Sequence, residues 1–225
     1  MQARTGLADA VDWRLYYVTD TALSGGPDEV PVFVEAAVAG GAGVVQIRDK
    51  ELPDDAYREL VVRCVAANER AHDATGRRAA IVVNDRLSVA ADLRLHFHQG
   101  QDDGDVRRAR RVLGEGLLIG LSISDDEQLA AELADPTADA LGLSPVWATP
   151  TKEDTAPALG LDGVARLTLA ARGAAKTLAI GGINLVNAGS VIETGVDGLC
   201  VVSAITSSPD PRHAAEQLLT LWSHR

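Results

Sequence analysis

The sequence has few cysteines and no long apolar run, and each absence excludes a class of protein. Among its 225 residues, only Cys64 and Cys200 are cysteines, and they lie far apart, outside any Cys-x-x-Cys or histidine cluster. Two such thiols make neither a disulfide framework nor a zinc site, so both are interpreted as core residues. No apolar run approaches the roughly 18 residues needed to cross a bilayer, and the first residues lack the apolar stretch of a secretory signal. We therefore expect a cytoplasmic protein without a membrane partner.

Basic residues are also scarce relative to acidic ones. The chain has 21 Lys and Arg against 32 Asp and Glu, a formal net charge of -11. Such a surface repels nucleic acid and anionic lipid over most of its area. The hydrophobic share of 46% and the charged share of 24% are otherwise those of an ordinary globular chain. Any anionic ligand must therefore meet a local cluster of basic side chains.

The chain lacks a Pro-, Gly- or Ser-rich linker and a low-complexity block, and short apolar runs alternate along it with helical patterns. The runs are rich in Val, Ile and Leu and too short for helices, as strands buried on both faces should be. We predict strands at residues 14–19, 43–48, 79–84, 93–97, 117–122, 138–143, 177–181 and 198–203.

Helical stripes separate these runs. One follows Leu-Pro-Asp-Asp and the other follows Asp210-Pro211, an N-cap residue with proline at the first helical position. Their apolar members are Tyr57, Leu60, Val61, Cys64 and Val65, and then Ala214, Ala215, Leu218, Leu219 and Trp222. Eight βα units of about 28 residues each predict a single (β/α)8 TIM barrel over residues 1–225, with a core at about 14–222. The alternative, a doubly wound open sheet, usually has a Gly-rich phosphate turn after its first strand, and no GxGxxG stands there.

In a barrel, the residues that follow the strands meet at one face, where active sites lie. Here they are Thr19, Asp20, Gln46, Arg48, Lys50, Asn84, Asp85, Gln101, Asp102, Asp103, Ser122, Ser124, Ser144, Thr149, Thr151, Lys152, Gly181, Gly182 and Ser203. Arg48, Lys50 and Lys152 gather positive charge beside neutral hydrogen-bonding groups, which suits a phosphorylated ligand. Asp85 with Asp102 or Asp103 suits Mg²⁺, which takes one or two protein carboxylates plus phosphate oxygens and water. The alternative interpretation, in which these charged loop residues are only exposed to solvent and bind nothing, stays open at this point.

A second phosphate site is expected at the seventh and eighth strand ends, where TIM barrels often bind phosphate through backbone N–H groups. Gly181-Gly182 permits a close approach of the backbone, and we expect a helix beginning near Asn184 to direct its positive end at the anion. The His96-x-His98 pair shares one strand face, but without a third ligand we do not assign it a metal. No Ser-His-Asp or Cys-His nucleophile is recognisable, which leaves catalysis by positioning and electrostatics.

Seven segments in order resemble thiamine phosphate synthase from about Arg14 to Trp222. They are VVQIRDK, VVNDR, GQDD, IGLS, SPVWATPTKEDTAPALG, AIGGIN and VVSAIT. The resemblance implies a TIM-barrel transferase of thiamine biosynthesis that uses Mg²⁺. Such an enzyme joins the diphosphate of hydroxymethylpyrimidine to thiazole phosphate and releases pyrophosphate.

The resemblance also implies residue roles. The pyrimidine diphosphate would be held by Gln46, Arg48, Lys50, Asn84, Ser122 and Lys152. The thiazole phosphate would be held by Thr149, Thr151, Gly182, Val202 and Ser203. Asp85 and Asp103 would bind Mg²⁺, and Lys152, Arg48 and Ser122 are the predicted catalytic groups.

One segment departs from the family pattern. Where the family has Asp-Gly, this chain has Leu95-His96, Gln99 replaces an apolar residue, and the spacing from Asp85 is one residue short. We therefore expect a displaced or altered fourth strand, and Asp102 stays open as an alternative to Asp103.

Three other functions stay open beside the synthase. One is a related thiazole tautomerase, which shares the barrel and the phosphate site. Another is an isomerase or aldolase with a catalytic base or Schiff-base lysine at a strand end. The last is a non-catalytic barrel that binds phosphorylated ligands. Small phosphorylated molecules are the expected partners in each case, and a homo-oligomer is also left open.

Overall fold

Eight parallel strands alternate with helices and close into a barrel in the computed structural model, which describes residues 2–148 and 157–224. The strands are β1 Leu15–Val18, β2 Val44–Ile47, β3 Ala80–Asn84, β4 His96–Gln99, β5 Ile119–Ile123, β6 Ala140–Leu143, β7 Lys176–Ile180 and β8 Gly198–Val201. The ring closes because β1 pairs with both β2 and β8, so that Tyr16 lies beside Val44 on one side and Cys200 on the other. The predicted (β/α)8 barrel is confirmed, and the open doubly wound sheet is wrong.

The helices surround the strands. They are α1 Gln2–Asp9, α2 Val30–Ala39, α3 Asp54–Thr75, α4 Leu87–Leu93, α5 Val106–Leu113, α6 Asp126–Ala134, α7 Gly160–Ala171, α8 Ala188–Glu193, α9 Ser203–Thr206 and α10 Pro211–Thr220, followed by a 3-10 turn at Leu221–His224. The first predicted stripe lies in α3, and the second lies in α10 except for Trp222, which falls in the 3-10 turn that follows. The Asp210 side chain caps α10 by accepting from the His213 N–H. No helix in the described ranges is both long and apolar enough to span a bilayer.

Alternation along the strands divides the core into two layers. Outward side chains such as Tyr17 and Phe97 pack beneath the helices in the larger cluster. Inward side chains such as Tyr16 and Leu178 fill the barrel together with Trp13, whose indole N–H donates to the Ala8 carbonyl at 2.7 Å. These inward apolar residues fill the interior of the barrel toward the end where the strands begin. The polar inward side chains therefore lie toward the other end, where the strands finish.

The fourth strand differs from its prediction. Residues 93–97 were expected to be extended, but Leu93 is the last residue of α4 and Arg94 takes a left-handed conformation with φ 54°. The strand itself spans His96–Gln99 and pairs with β3 and β5, so it is not displaced from the barrel. Short apolar runs do not distinguish the end of a helix from the start of a strand, which explains the error.

Candidate active site

A cavity of about 420 Å³ opens at the ends of the strands. Ten of the predicted site residues line it, namely Gln46, Arg48, Lys50, Asn84, Asp85, Asp103, Ser122, Gly182, Val202 and Ser203. The remaining three, Thr149, Thr151 and Lys152, lie outside the described residues. The structure therefore brings residues from six different strand ends to one mouth, as parallel strands in a closed barrel require.

An acidic pair with a lysine lies at the rim of this cavity. The Lys50 Nζ is 3.4 Å from the Asp85 Oδ2 and 3.9 Å from the Asp103 Oδ1. Burial raises the pKa of Asp85 and the nearby Asp103 carboxylate raises it further, while Lys50 opposes both effects. The other Asp103 oxygen accepts from the Gly100 N–H at 2.9 Å. Asp102 also lines the cavity, but it is Asp103 whose charge acts on Asp85.

The acidic pair of Asp85 and Asp103 supplies the carboxylate oxygen ligands that a hard cation prefers. Within the described ranges, the Asp85 Oδ1 is buried without a hydrogen-bond partner, and no group of three or more His, Cys, Asp or Glu side chains could hold a metal. Two carboxylates with one unsatisfied oxygen fit Mg²⁺, which completes its coordination with substrate oxygens and water. They do not resemble the closed Cys and His sites of structural zinc.

The backbone at Asp85 is unusual. Its φ of 60° is left-handed, a region that residues with a side chain seldom adopt. The Asp85 N–H donates to the His98 carbonyl at 2.9 Å, and the next N–H, of Arg86, donates to the Asn84 carbonyl at 2.7 Å. This turn ends β3 abruptly, and strained backbone of this kind concentrates at functional sites.

Two hydrogen-bonded pairs lie deeper in the barrel. The Gln46 amide donates to the Tyr16 hydroxyl at 2.9 Å, and the His98 Nε2 is 3.1 Å from the Ser122 Oγ. Tyr16 and His98 both line the cavity although the sequence assigned neither to the site. The sequence does contain one indication of their place. Side chains alternate between the two faces of a strand, and this alternation turns Tyr16 and His98 into the barrel beside predicted site residues.

His96 and His98 share a strand face but have different surroundings. The His96 Nδ1 accepts from the Leu118 N–H at 3.0 Å, and burial lowers the pKa of this imidazole. His98 lies nearer the mouth, with its ring packed against the backbone of Gly120. The small residue there leaves room for the imidazole inside the barrel.

The far side of the mouth is formed by β7 and β8. Gly181 and Gly182 have φ of 115° and 70°, and a Cβ on Gly181 would lie 2.9 Å from the Pro145 Cβ. Glycine is therefore required at position 181 by both conformation and space. Val202 and Ser203, at the start of α9, line the cavity on the same side as this pair, because β8 is paired with β7.

The helix expected near Asn184 begins later. Helix α8 starts at Ala188, and the preceding residues form a turn in which the Asn184 N–H donates to the Asn187 side chain at 2.8 Å. The Asn187 amide also donates to the Gly182 carbonyl at 2.9 Å. Asparagine side chains favour such turns over helix, so the prediction of a helix start at Asn184 was wrong.

Comparison with known proteins places the chain in a family. The family described as thiamine monophosphate synthase matches residues 15–205. The chain belongs to the thiamine monophosphate synthase family. It is 42% identical over 219 residues to a thiamine-phosphate synthase of Laribacter hongkongensis, covering 95% of this chain and 97% of that protein.

Another relative from this family is much longer. The chain is 44% identical over 218 residues to the thiamine biosynthesis multifunctional protein ThiED of Corynebacterium efficiens, covering 94% of this chain. It spans 29% of the length of that relative.

The family fold is also found among solved structures. A thiamine phosphate pyrophosphorylase from Pyrococcus furiosus superposes with a TM-score of 0.81 at 28% identity, covering 95% of this chain and 96% of that one. The barrel described above is thus also the fold of that thiamine phosphate pyrophosphorylase, and the resemblance seen in the sequence motifs is confirmed.

Proposed function

We propose that this protein is a thiamine phosphate synthase, a transferase that couples hydroxymethylpyrimidine diphosphate to thiazole phosphate and releases pyrophosphate. The observation that carries the proposal is the shared cavity. Arg48, Lys50 and the acidic pair lie on one side of it, and Gly182 with Ser203 lies on the other. Two anion-binding regions on one mouth fit a reaction that joins two phosphorylated substrates.

The pyrimidine side is the better equipped for a diphosphate. Arg48 and Lys50 supply positive charge, and Arg48 is held by its N–H, which donates to the Thr19 hydroxyl at 2.9 Å. Gln46 and Ser122 point into the barrel beside this pair and offer polar groups to a heterocycle. Within the described ranges, the buried Asn84 amide nitrogen has no hydrogen-bond partner, so it is available as a donor to a substrate oxygen.

Asp85 and Asp103 would hold Mg²⁺ in this proposal. The bound cation would neutralise negative charge on the diphosphate as it becomes the leaving group. Lys50, near both carboxylates, reduces their mutual repulsion. Lys152 is assigned to the departing pyrophosphate by the sequence resemblance alone.

The chemistry proposed is dissociative. The amino-substituted pyrimidine expels pyrophosphate to leave a stabilised benzylic-type cation, and the thiazole nitrogen then attacks that carbon. No protein nucleophile is needed, so the chain's task is to align two substrates and stabilise the leaving group's charge, which is often the largest catalytic contribution. Gly182, Val202 and Ser203 would hold the thiazole phosphate in line with the reacting carbon.

A coupling assay with both phosphorylated precursors and Mg²⁺ tests the proposal. We expect equal amounts of thiamine phosphate and pyrophosphate, and no product in the presence of a chelator. Isomerisation of the thiazole without pyrophosphate release would instead indicate a tautomerase, and binding of both precursors without turnover would indicate a non-catalytic barrel. Borohydride trapping of a lysine adduct would indicate the Schiff-base chemistry of an aldolase.

We also propose a cytoplasmic location. Cys64 and Cys200 are buried free thiols, which agrees with a reducing compartment. Fractionation of the source cells, followed by the coupling assay on each fraction, tests this location.

A further inference from the structure

Tyr57 on α3 ties together the ends of β2 and β3. Its buried hydroxyl donates to the Ile47 carbonyl at 2.7 Å and accepts from the Asn84 N–H at 3.2 Å. Ile47 directly precedes Arg48, and Asn84 directly precedes Asp85. One hydroxyl group therefore fixes the relative position of two strand ends that carry diphosphate and metal residues, although Tyr57 does not itself line the cavity.

Arg86 binds the loop between β2 and α3. Its two terminal nitrogens donate to the carbonyls of Asp49 and Leu52, and its Nε donates to the Asp54 Oδ1 at 2.9 Å. The Arg86 Cζ lies 4.2 Å from the centroid of the Tyr57 ring, a cation–π contact. The side chain is only 16% exposed. A planar guanidinium with five donors holds several acceptors at once, so Arg86 fastens this loop to the end of β3.

The left-handed turn at Asp85 directs the side chains of Asp85 and Arg86 to different parts of the structure. Asp85 lines the cavity, whereas Arg86 turns away from it toward the loop. The same loop carries Lys50, which approaches the Asp85 carboxylate at 3.4 Å. Strained backbone persists only where its surroundings over-determine it, and Arg86 and Tyr57 supply that constraint on one side of the turn.

We propose that Arg86 and Tyr57 form a brace, a pair of positioning residues that holds the β2–α3 loop against Asp85 and thereby sets the affinity of the acidic pair for a divalent cation. This inference rests on the metal site of the proposed function. Neither residue contacts substrate in this role. Both act through Lys50 and Asp85, as residues outside a metal's ligand shell orient its ligands.

The sign of the effect separates positioning from simple electrostatics. Arg86 is a positive charge near the acidic pair, so its removal by itself would tighten the binding of a cation. Loss of the brace should instead weaken cation binding. Without Arg86, the carbonyls of Asp49 and Leu52 lose their hydrogen bonds, and the loop no longer holds the turn at Asp85 in place. Weaker cation binding in an Arg86 variant therefore cannot come from the charge change.

The test is to measure Mn²⁺ binding to the full chain by calorimetry, without substrate. We expect Arg86→Gln to weaken Mn²⁺ affinity about tenfold or more, a typical cost of losing a group that orients metal ligands. Arg86→Lys should recover part of the loss, because the lysine ammonium can still donate to a loop carbonyl, although it keeps the charge that opposes cation binding and lacks the fork of donors. Amide hydrogen exchange should speed up at Glu51 and Leu52 in Arg86→Gln.

Arg110→Lys provides the matched control. Arg110 also donates to backbone carbonyls and to an aspartate, but at the opposite end of the barrel, where it binds Gly114, Leu117 and Asp139. We expect this variant to lower the unfolding temperature while leaving Mn²⁺ affinity unchanged. Should Arg86→Gln not fold, Arg86→Lys and Tyr57→Phe are measured in its place.

Unchanged or tighter Mn²⁺ binding in the Arg86 variants would overturn the brace while leaving the synthase proposal intact. A wild-type protein that binds Mn²⁺ but makes no thiamine phosphate would overturn the synthase proposal and leave the brace standing if Arg86→Gln still binds more weakly. Absence of Mn²⁺ binding by the wild-type protein would overturn the brace and the metal site together.

Discussion

Asp85 combines three unfavourable features in one residue. Its backbone is left-handed, its Oδ1 is buried without a partner among the described residues, and the Asp103 charge lies nearby. Burial and the Asp103 charge disfavour the ionised carboxylate in the protein alone, whereas a bound cation would favour it. In the proposed metal site, Asp85 is therefore placed for cation binding at the expense of stability.

Asp85→Asn should abolish cation-dependent turnover and also stabilise the protein without metal. The raised pKa means that the folded state binds a proton more tightly than the unfolded state. Its stabilising contribution is present below the ordinary pKa of 3.8 and is lost as the pH rises through the raised value. We expect the variant's advantage in free energy of unfolding, measured with urea, to grow over that interval and to persist at neutral pH.

Asp102→Asn is the control for this variant, because it removes a neighbouring acid from the same mouth. We expect no comparable change in stability, and turnover close to that of the wild type. If Asp102→Asn loses turnover instead of Asp103→Asn, Asp102 is the second metal ligand and the assignment of Asp103 is wrong.

Lys152→Ala should reduce turnover by about 10²-fold or more while leaving the unfolding temperature unchanged, because the proposed function assigns this lysine to the leaving pyrophosphate, whose charge it would stabilise. Steady-state rates at saturating precursors and a thermal melt provide the measurement. Wild-type turnover in this variant would refute the role.

At the scale of elements, a buried ion pair joins α5 to the start of β6. The guanidinium of Arg110 donates to the Asp139 carboxylate at 2.5 Å and to the Thr137 carbonyl at 3.1 Å, and Asp139 also accepts from the Ile119 N–H. Arg110 and Asp139 are 9% and 7% exposed, so water replaces little of this contact if one partner is lost. The pair therefore fixes a helix to two strands.

Arg110→Met should lower the free energy of unfolding by about 3–5 kcal/mol, since it leaves a buried carboxylate without its countercharge. Arg166→Met removes a comparable pair with Asp126, but both partners are exposed, and we expect a loss of less than about 1 kcal/mol. Urea unfolding of the two variants compares them directly. Equal losses would show that burial does not decide the strength of these pairs.

At the scale of the whole molecule, closure depends on close backbone approach between β8 and the segment before β1. A Cβ on Gly198 would lie 1.9 Å from the Trp13 carbonyl oxygen and 2.8 Å from a Leu178 methyl. Trp13 is itself buried at the base of the barrel. No rotamer change relieves a clash with backbone, so the seam must open to admit a side chain.

Gly198→Ala should therefore destabilise the protein by about 1–3 kcal/mol or more, as overpacking does in tight interiors. Gly189→Ala is the control, because a Cβ there meets nothing within 4 Å and alanine favours helix α8. Thermal melts should move in opposite directions. A neutral Gly198→Ala would mean that the seam is looser than its geometry indicates.

Most of the fold could be predicted from the sequence because a parallel sheet buried on both faces produces continuous apolar runs. Seven strands lie within two residues of their predicted starts, but β4 does not. Leu93 and Leu95 are apolar in either secondary structure, and only the packing of α4 against the core decides that Leu93 is helical. The predicted helix start near Asn184 was also wrong for a local reason, because hydrogen bonds of the asparagine side chains form a turn there instead.

The sequence by itself determined the alternation of strands and helices, and thus the set of strand-end residues that meet at one mouth, because closure of a parallel barrel leaves no other place for them. Only the tertiary structure decided which groups touch within that set. Asp85 and Asp103 both approach Lys50, Tyr16 and His98 join the cavity, and Tyr57 with Arg86 spans two strand ends. These contacts depend on distances between residues far apart in the chain, to which local propensity and two-residue alternation are insensitive.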